Sequence, residues 1–116
     1  MRHLKKGRKF GRVKKRREAL MRSLAFSLLD RGRIATTEAK AKEVRPFVEQ
    51  VITRAKRGGI FDRRRVSVVV SPKIVKKVFG EIVPAFSGRR GGYTRIIKTG
   101  PRKSDGAKMA IIELIK

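Results

Sequence analysis

The sequence predicts an α+β domain in two layers, with about three helices packed on a small mixed three-stranded sheet behind a basic N-terminal extension. Three observations carry this. Apolar residues recur at helical spacing up to about Ser87, and β-branched runs with turn signals follow Tyr93. The first seventeen residues contain ten Lys or Arg and no acid. The division that follows is a basic extension over 1–15 and a single α+β domain over 16–116. At 116 residues the chain is long enough for one modest core and shows no internal repeat.

The extension, Met1 to Arg17 at its most basic, cannot bury enough apolar surface to fold alone, and its like charges repel. From about Arg16 to Arg31, Leu20, Leu24 and Leu28 recur four apart, flanked by Met21, Ala25 and Leu29, and predict an amphipathic helix. Gly32 stands where a left-handed C-terminal cap belongs. No Ser, Thr, Asp or Asn precedes Ser23 to cap the start, so only Glu18 complements the first turn. Arg33 to Thr36 predicts a short strand, and Thr37 an N-cap. Val44, Phe47, Val48, Val51, Ile52 and Ala55 then form a buried helical stripe ending at Gly58-Gly59. The stripe keeps its phase across Pro46, which predicts a kink rather than a break.

Residues 60–70 are ambiguous. Val66, Val68, Val69 and Val70 favour a strand by propensity, while a short helix docked by Val66 and Val69 also fits. Ser71-Pro72 reads as an N-cap followed by Pro at the first helical position. Val75, Val78, Phe79, Ile82 and Phe86 continue that helix. Tyr93–Thr99 and Met109–Ile115 predict strands joined by a nine-residue basic loop, Gly100 to Lys108. That is longer than a tight hairpin needs, so the loop is expected to lie against a ligand and to be mobile without it.

The 33 Lys and Arg against 9 Asp and Glu give a formal net charge of +24. Twenty-three of the basic residues lie beyond Arg17, so the body is basic too. A polyanion would offset the resulting self-repulsion. No run reaches the ~18 apolar residues of a membrane span, and the basic start lacks the apolar core of a secretory signal. With no Cys, disulfides and thiolate metal sites are excluded, and a single His, at position 3 in the arm, gives no sign of a transition-metal site. The acids are scattered singly, without the paired carboxylates of acid–base catalysis. Gly88-Arg89-Arg90-Gly91-Gly92 lacks the spacing of a phosphate loop and precedes a strand. No enzyme activity, cofactor or small-molecule substrate is expected.

Nucleic-acid binding is expected instead. The candidate RNA contacts in the arm and first helix are Arg2, His3, Lys5, Lys6, Arg8, Lys9, Phe10, Arg12, Lys14, Lys15, Arg16, Arg17 and Arg22. A second cluster runs from Arg54, Lys56 and Arg57 to Arg63-Arg64-Arg65, with Arg57, Arg63 and Arg64 as its contacts. Arg89, Arg90 and Arg95 form a third, and Arg102, Lys103 and Lys108 a fourth. Phe10 either stacks on an unpaired base or anchors the arm to the body. The other five Phe read as core, and Tyr93 as a packing residue with its hydroxyl in solvent. Lys73, Lys76 and Lys77 read as an ordinary solvated helix face.

Four segments resemble the family of bacterial large-subunit ribosomal protein number 17. They are Met1-Arg2-His3-Leu4-Lys5-Lys6-Gly7-Arg8-Lys9, Ser27-Leu28-Leu29 before Ile34-Ala35-Thr36-Thr37, Ala39-Lys40-Ala41-Lys42-Glu43-Val44-Arg45, and Gly91-Gly92-Tyr93-Thr94-Arg95-Ile96. The closing Asp105-Gly106-Ala107-Lys108-Met109-Ala110 is similar to that family's terminal turn and strand. Departures are Arg16 where the family often has His, Phe10 where Leu is common, and Pro46. The resemblance implies a structural constituent of the large subunit in the cytoplasmic ribosome. It implies partners in large-subunit ribosomal RNA and neighbouring ribosomal proteins near the peptide-exit region, and no membrane. The alternative is a DNA-binding, nucleoid-type protein. The strand-like Arg33–Thr36 between the first two helices speaks against a helix-turn-helix, and the arm's lack of an apolar face speaks against membrane activity.

Overall fold

Helix α1 (Lys14–Arg31) is followed by strand β1 (Arg33–Thr37), helices α2 (Glu38–Arg57), α3 (Ile60–Val69) and α4 (Pro72–Lys77), and strands β2 (Thr94–Pro101) and β3 (Lys108–Leu114). The computed structural model describes residues 13–115, without the side chain of Val69. The two layers of a single compact α+β domain are present, with four helices among the described residues where about three were expected.

The sheet is wholly antiparallel, not mixed. Its order is β1-β3-β2, so the C-terminal strand lies in the middle and pairs antiparallel with both neighbours. β1 and β2 run the same way but never pair, and only their pairing would have made the sheet mixed. Ile112 stands opposite Ile34 on one side and Ile96 on the other. Ala110, Ile112 and Leu114 face the helices, while Met109, Ile111 and Glu113 alternate to the other face. Helix α2 crosses this inner face with Val44, Val48, Val51 and Ile52 buried. Leu28 and Leu29 of α1 and Ile74, Val78, Ile82 and Phe86 close the core around it.

Local sequence explains most boundaries. Gly32, at φ 84°, donates its N–H to Leu28 O at 2.8 Å and ends α1 in the left-handed region. Gly58, at φ 73°, ends α2 in the same way. Thr37 Oγ1 accepts the Lys40 N–H at 3.3 Å, the expected N-cap. The second helix runs through Pro46 without a break. At the start of α1, Val13 offers no side-chain cap, as expected. Glu18 falls beyond the first turn, because the helix begins at Lys14 and not near Arg16. Ser71 makes no side-chain cap bond, and its hydroxyl is buried without a partner among the described residues. Its backbone carbonyl instead accepts from Val75 N at 2.9 Å.

Residues 60–69 are helical, against their strand propensity. The segment lies in the helical layer between α2 and α4, where no strand edge is available to pair with. Val66 and Val70 are buried, and Asp62 sits in the first turn, where a helix favours an acid. Beyond Lys77 the chain continues through a π-helical turn (Val78–Ile82) into a last short turn (Val83–Ala85). Ile74, Val78, Ile82 and Phe86 repeat every four residues. In a regular α-helix that row would drift by about 40° per step, and a wider π turn holds it on the core.

The connection between β2 and β3 is shorter than expected. Both strands extend into it, leaving Arg102 to Ala107. Arg102 N donates to Ala107 O at 2.7 Å and Gly106 N to Arg102 O at 2.8 Å. No helix among the described residues is long and apolar enough to cross a membrane.

Candidate nucleic-acid interface

The few acids decide which cations are available. Glu113 faces Arg95 at 2.6 Å and Arg33 at 3.9 Å. Glu38 holds Lys42 at 2.8 Å and Lys98 at 3.6 Å. Its bond to Lys42 lowers its carboxyl below the ordinary value against a smaller opposing effect of burial, with Lys98 and Lys108 adding to the lowering. Asp62 faces Arg57 at 3.7 Å, and Asp30 lies 4.0 Å from Lys77, which also donates to the Asp30 carbonyl. Asp105 receives Arg102 through two bonds, of 3.0 and 2.7 Å. That guanidinium, followed by the Ala107 N–H, holds its carboxyl at about 2.

The predicted contacts therefore divide. Arg57, Arg95 and Arg102 face carboxylates, and Lys108 lies within the field of Glu38. Arg63 packs its guanidinium 4.2 Å from the centre of the Phe79 ring, and Arg89 donates to Gly92 O at 3.3 Å. By contrast, Lys14, Lys15, Arg16, Arg22, Arg64, Arg90 and Lys103 are exposed and Arg17 half-buried, with no side-chain bond or ion pair among the described residues. Arg2, His3, Lys5, Lys6, Arg8, Lys9, Phe10 and Arg12 lie outside the described residues.

One carboxylate positions the third cluster. Glu49, on the flank of α2, accepts Gly92 N at 3.1 Å and Tyr93 N at 3.4 Å through Oε1. Through Oε2 it accepts Thr94 Oγ1 at 2.8 Å and Arg45 Nε at 3.2 Å. Burial pushes its carboxyl upward. The bonds from Thr94, Arg45 and the Tyr93 backbone outweigh that and leave it below the ordinary value. Lys56 completes the clamp. Its ammonium donates to the Arg89 carbonyl and to Tyr93 Oη at 3.3 Å, and lies 5.1 Å from the Tyr93 ring centre. Tyr93 is buried, its ring 5.1 Å from that of Phe86, and its hydroxyl is bonded inside the protein and not in solvent.

The clamp joins two clusters that are far apart in sequence. Near the C-terminal end of α2, Arg54 lines a groove with Arg64 and Arg65 of α3, Arg57 faces Asp62, and Lys56 holds the Arg89 carbonyl, which makes this end of the helix a basic corner. The fourth cluster lies elsewhere. Lys98 and Lys108 reach Glu38 at the N-terminal end of α2, about 30 Å away along a 20-residue helix.

Sequence reasoning missed three features of this surface. Phe61 is 68% exposed, so it is not core, and Phe26 is at the surface as well. Arg54 and Arg65 line the corner although neither was among the expected contacts. The role of Glu49 had no local signal, since its partners lie 43 to 45 residues away. Phe61 did leave one: it stands four residues before Arg65 and seven before Val68, on a stripe that excludes Val66.

The model of the ribosomal protein L17 family matches residues 20–115. The chain belongs to that family. It is 54% identical to a large ribosomal subunit protein bL17 of Gemmatimonas aurantiaca, covering 99% of this chain and 98% of the relative. The protein of the same name from Desulfotalea psychrophila is 51% identical, over 99% of this chain and 90% of the relative. That of Thermoanaerobacter pseudethanolicus is 50% identical, over 93% and 97%. The expected resemblance is thus met along the body and by nearly full-length relatives.

Proposed function

We propose that this chain is a structural constituent of the large ribosomal subunit in the cytoplasmic ribosome. It binds large-subunit ribosomal RNA through its basic arm, 1–15, and through the basic corner at the end of α2. It sits beside neighbouring ribosomal proteins near the peptide-exit region and catalyses no reaction. The nearly end-to-end similarity to proteins named for the large subunit carries this reading. The surface is consistent with it: cations remain unpaired beside those held by Asp30, Glu38, Glu49, Asp62, Asp105 and Glu113, and phosphate neutralisation uses such groups.

Deleting residues 1–12 tests the division of labour between arm and body. Circular dichroism is expected to show a folded body, and sucrose gradients to show weaker incorporation into the large subunit. Normal incorporation, or an unfolded body, would contradict the proposal. Competition between ribosomal RNA and duplex DNA tests the nucleoid alternative, which β1 between α1 and α2 already disfavours. RNA is expected to win, and equal competition would favour the alternative.

A further inference from the structure

Helix α3 carries a second apolar surface that the core does not use. Val66 and Val70 face inward. On the other side Phe61, Arg64, Arg65 and Val68 follow the i, i+3, i+4, i+7 spacing of one stripe. Phe61 is 68% exposed, Val68 72%, and the preceding Ile60 75%. A cluster of this kind marks an interaction surface, whereas a single exposed apolar residue does not. The stripe borders an open groove of about 480 Å³ between α2 and α3, lined by Arg54, Phe61, Arg64, Arg65 and Val68.

The groove brings together three guanidiniums, one aromatic ring and no carboxylate. Asp62, the acid of α3, faces Arg57 instead. The Arg65 guanidinium lies 5.0 Å from the Phe61 ring centre, which leaves its N–H fork free while most of the ring stays in solvent. A second copy of the chain does not suit this surface, because each copy carries +24 and arginine would meet arginine. An apolar protein segment would want a continuous apolar bed, but here cations flank the ring. Alternating ring and cation match a nucleotide strand, which alternates base and phosphate.

We propose that this groove holds an unpaired nucleotide of RNA, its base stacked on Phe61 beside Val68 and its flanking phosphates on Arg54 and Arg64. The inference rests on the RNA-binding reading and adds to it a preference for unpaired over duplex RNA and a base-level contact. Base stacking on an aromatic side chain is expected to contribute about tenfold in affinity.

The chain has no Trp, so Phe61→Trp introduces a single fluorescent reporter at the groove. The probes are a single-stranded oligoadenylate, its duplex with oligouridylate, and an abasic strand of equal charge. Indole emission is expected to be quenched by the single strand and little changed by the other two. Phe61→Ala and Phe61→Leu, both checked for folding by circular dichroism, are expected to weaken single-strand binding about tenfold and leave duplex binding unchanged. Equal quenching by the abasic strand, or unchanged binding by both variants, would overturn the groove assignment while salt-dependent RNA binding persisted. Loss of salt-dependent binding to every RNA in the parent protein would overturn the RNA reading and this inference together.

Discussion

The two ends of helix α2 carry clusters that look alike in sequence and differ in the folded protein. At the N-terminal end, Lys42 and Lys98 converge on Glu38, Lys108 lies in its field, and Arg102 nearby in sequence is bound by Asp105. At the C-terminal end, Arg54 and Arg64 line a groove with exposed Phe61 and Val68 and no carboxylate, and Arg90 has no ion pair among the described residues. A run of Lys and Arg therefore reports only potential. Where the few acids fall decides which cations are structural and which remain for a polyanion.

Replacing both Arg64 and Arg90 by Ser gives the largest expected effect. Two lost phosphate contacts should make the slope of log affinity against log salt shallower by about 2 and weaken RNA binding about 25- to 60-fold near ~0.1 M salt. Arg102→Ser should leave that slope unchanged, because its guanidinium is held by Asp105. Filter binding across a salt series checks both. Equal effects at the two ends would break the distinction.

Glu49→Gln sharpens the account of how the C-terminal corner is built. Losing charge-assisted bonds to Thr94, Arg45 and the Tyr93 backbone should cost about 1–2 kcal/mol at neutral pH. Because the folded carboxyl titrates below its ordinary 4.5, its contribution is complete above that pH and is lost as pH falls through the folded value. The gap between parent and variant in urea unfolding should therefore close on acidification. A gap independent of pH would mean that the charge of Glu49 does not hold the Gly92–Thr94 segment.

The smallest effect belongs to the N-terminal end. Thr37→Ala should cost about 1 kcal/mol through the lost cap, lowering the melting temperature without changing RNA affinity. Reduced affinity at unchanged stability would make Thr37 a contact residue.

The parts of the fold that could be read in advance were those encoded locally. The stripe of α2 kept a helical period across Pro46, and Gly32, Gly58 and Thr37 carried caps within a few residues of the ends they fix. Helix α3 could not be read in this way. Its valines prefer strands, and only its place between α2 and α4 makes it helical. Sheet order was hidden for the same reason, since nothing near β3 indicates that it takes both neighbours. The basic clusters of the site were visible as charge. Their sorting into paired and free cations depends on contacts such as Glu38 to Lys98 and Glu113 to Arg33, which only the fold brings together, while the exposure of Phe61 was legible only in its spacing to Arg65 and Val68.

The most direct test of the central claim, that the surplus positive charge serves RNA phosphates, is the salt dependence of full-length binding to large-subunit ribosomal RNA. If the arm and the basic corner together neutralise on the order of ten phosphates, log affinity should fall against log salt with a slope of about −7 to −9. A slope shallower than about −3 would show that most of these cations are solvated and bind nothing.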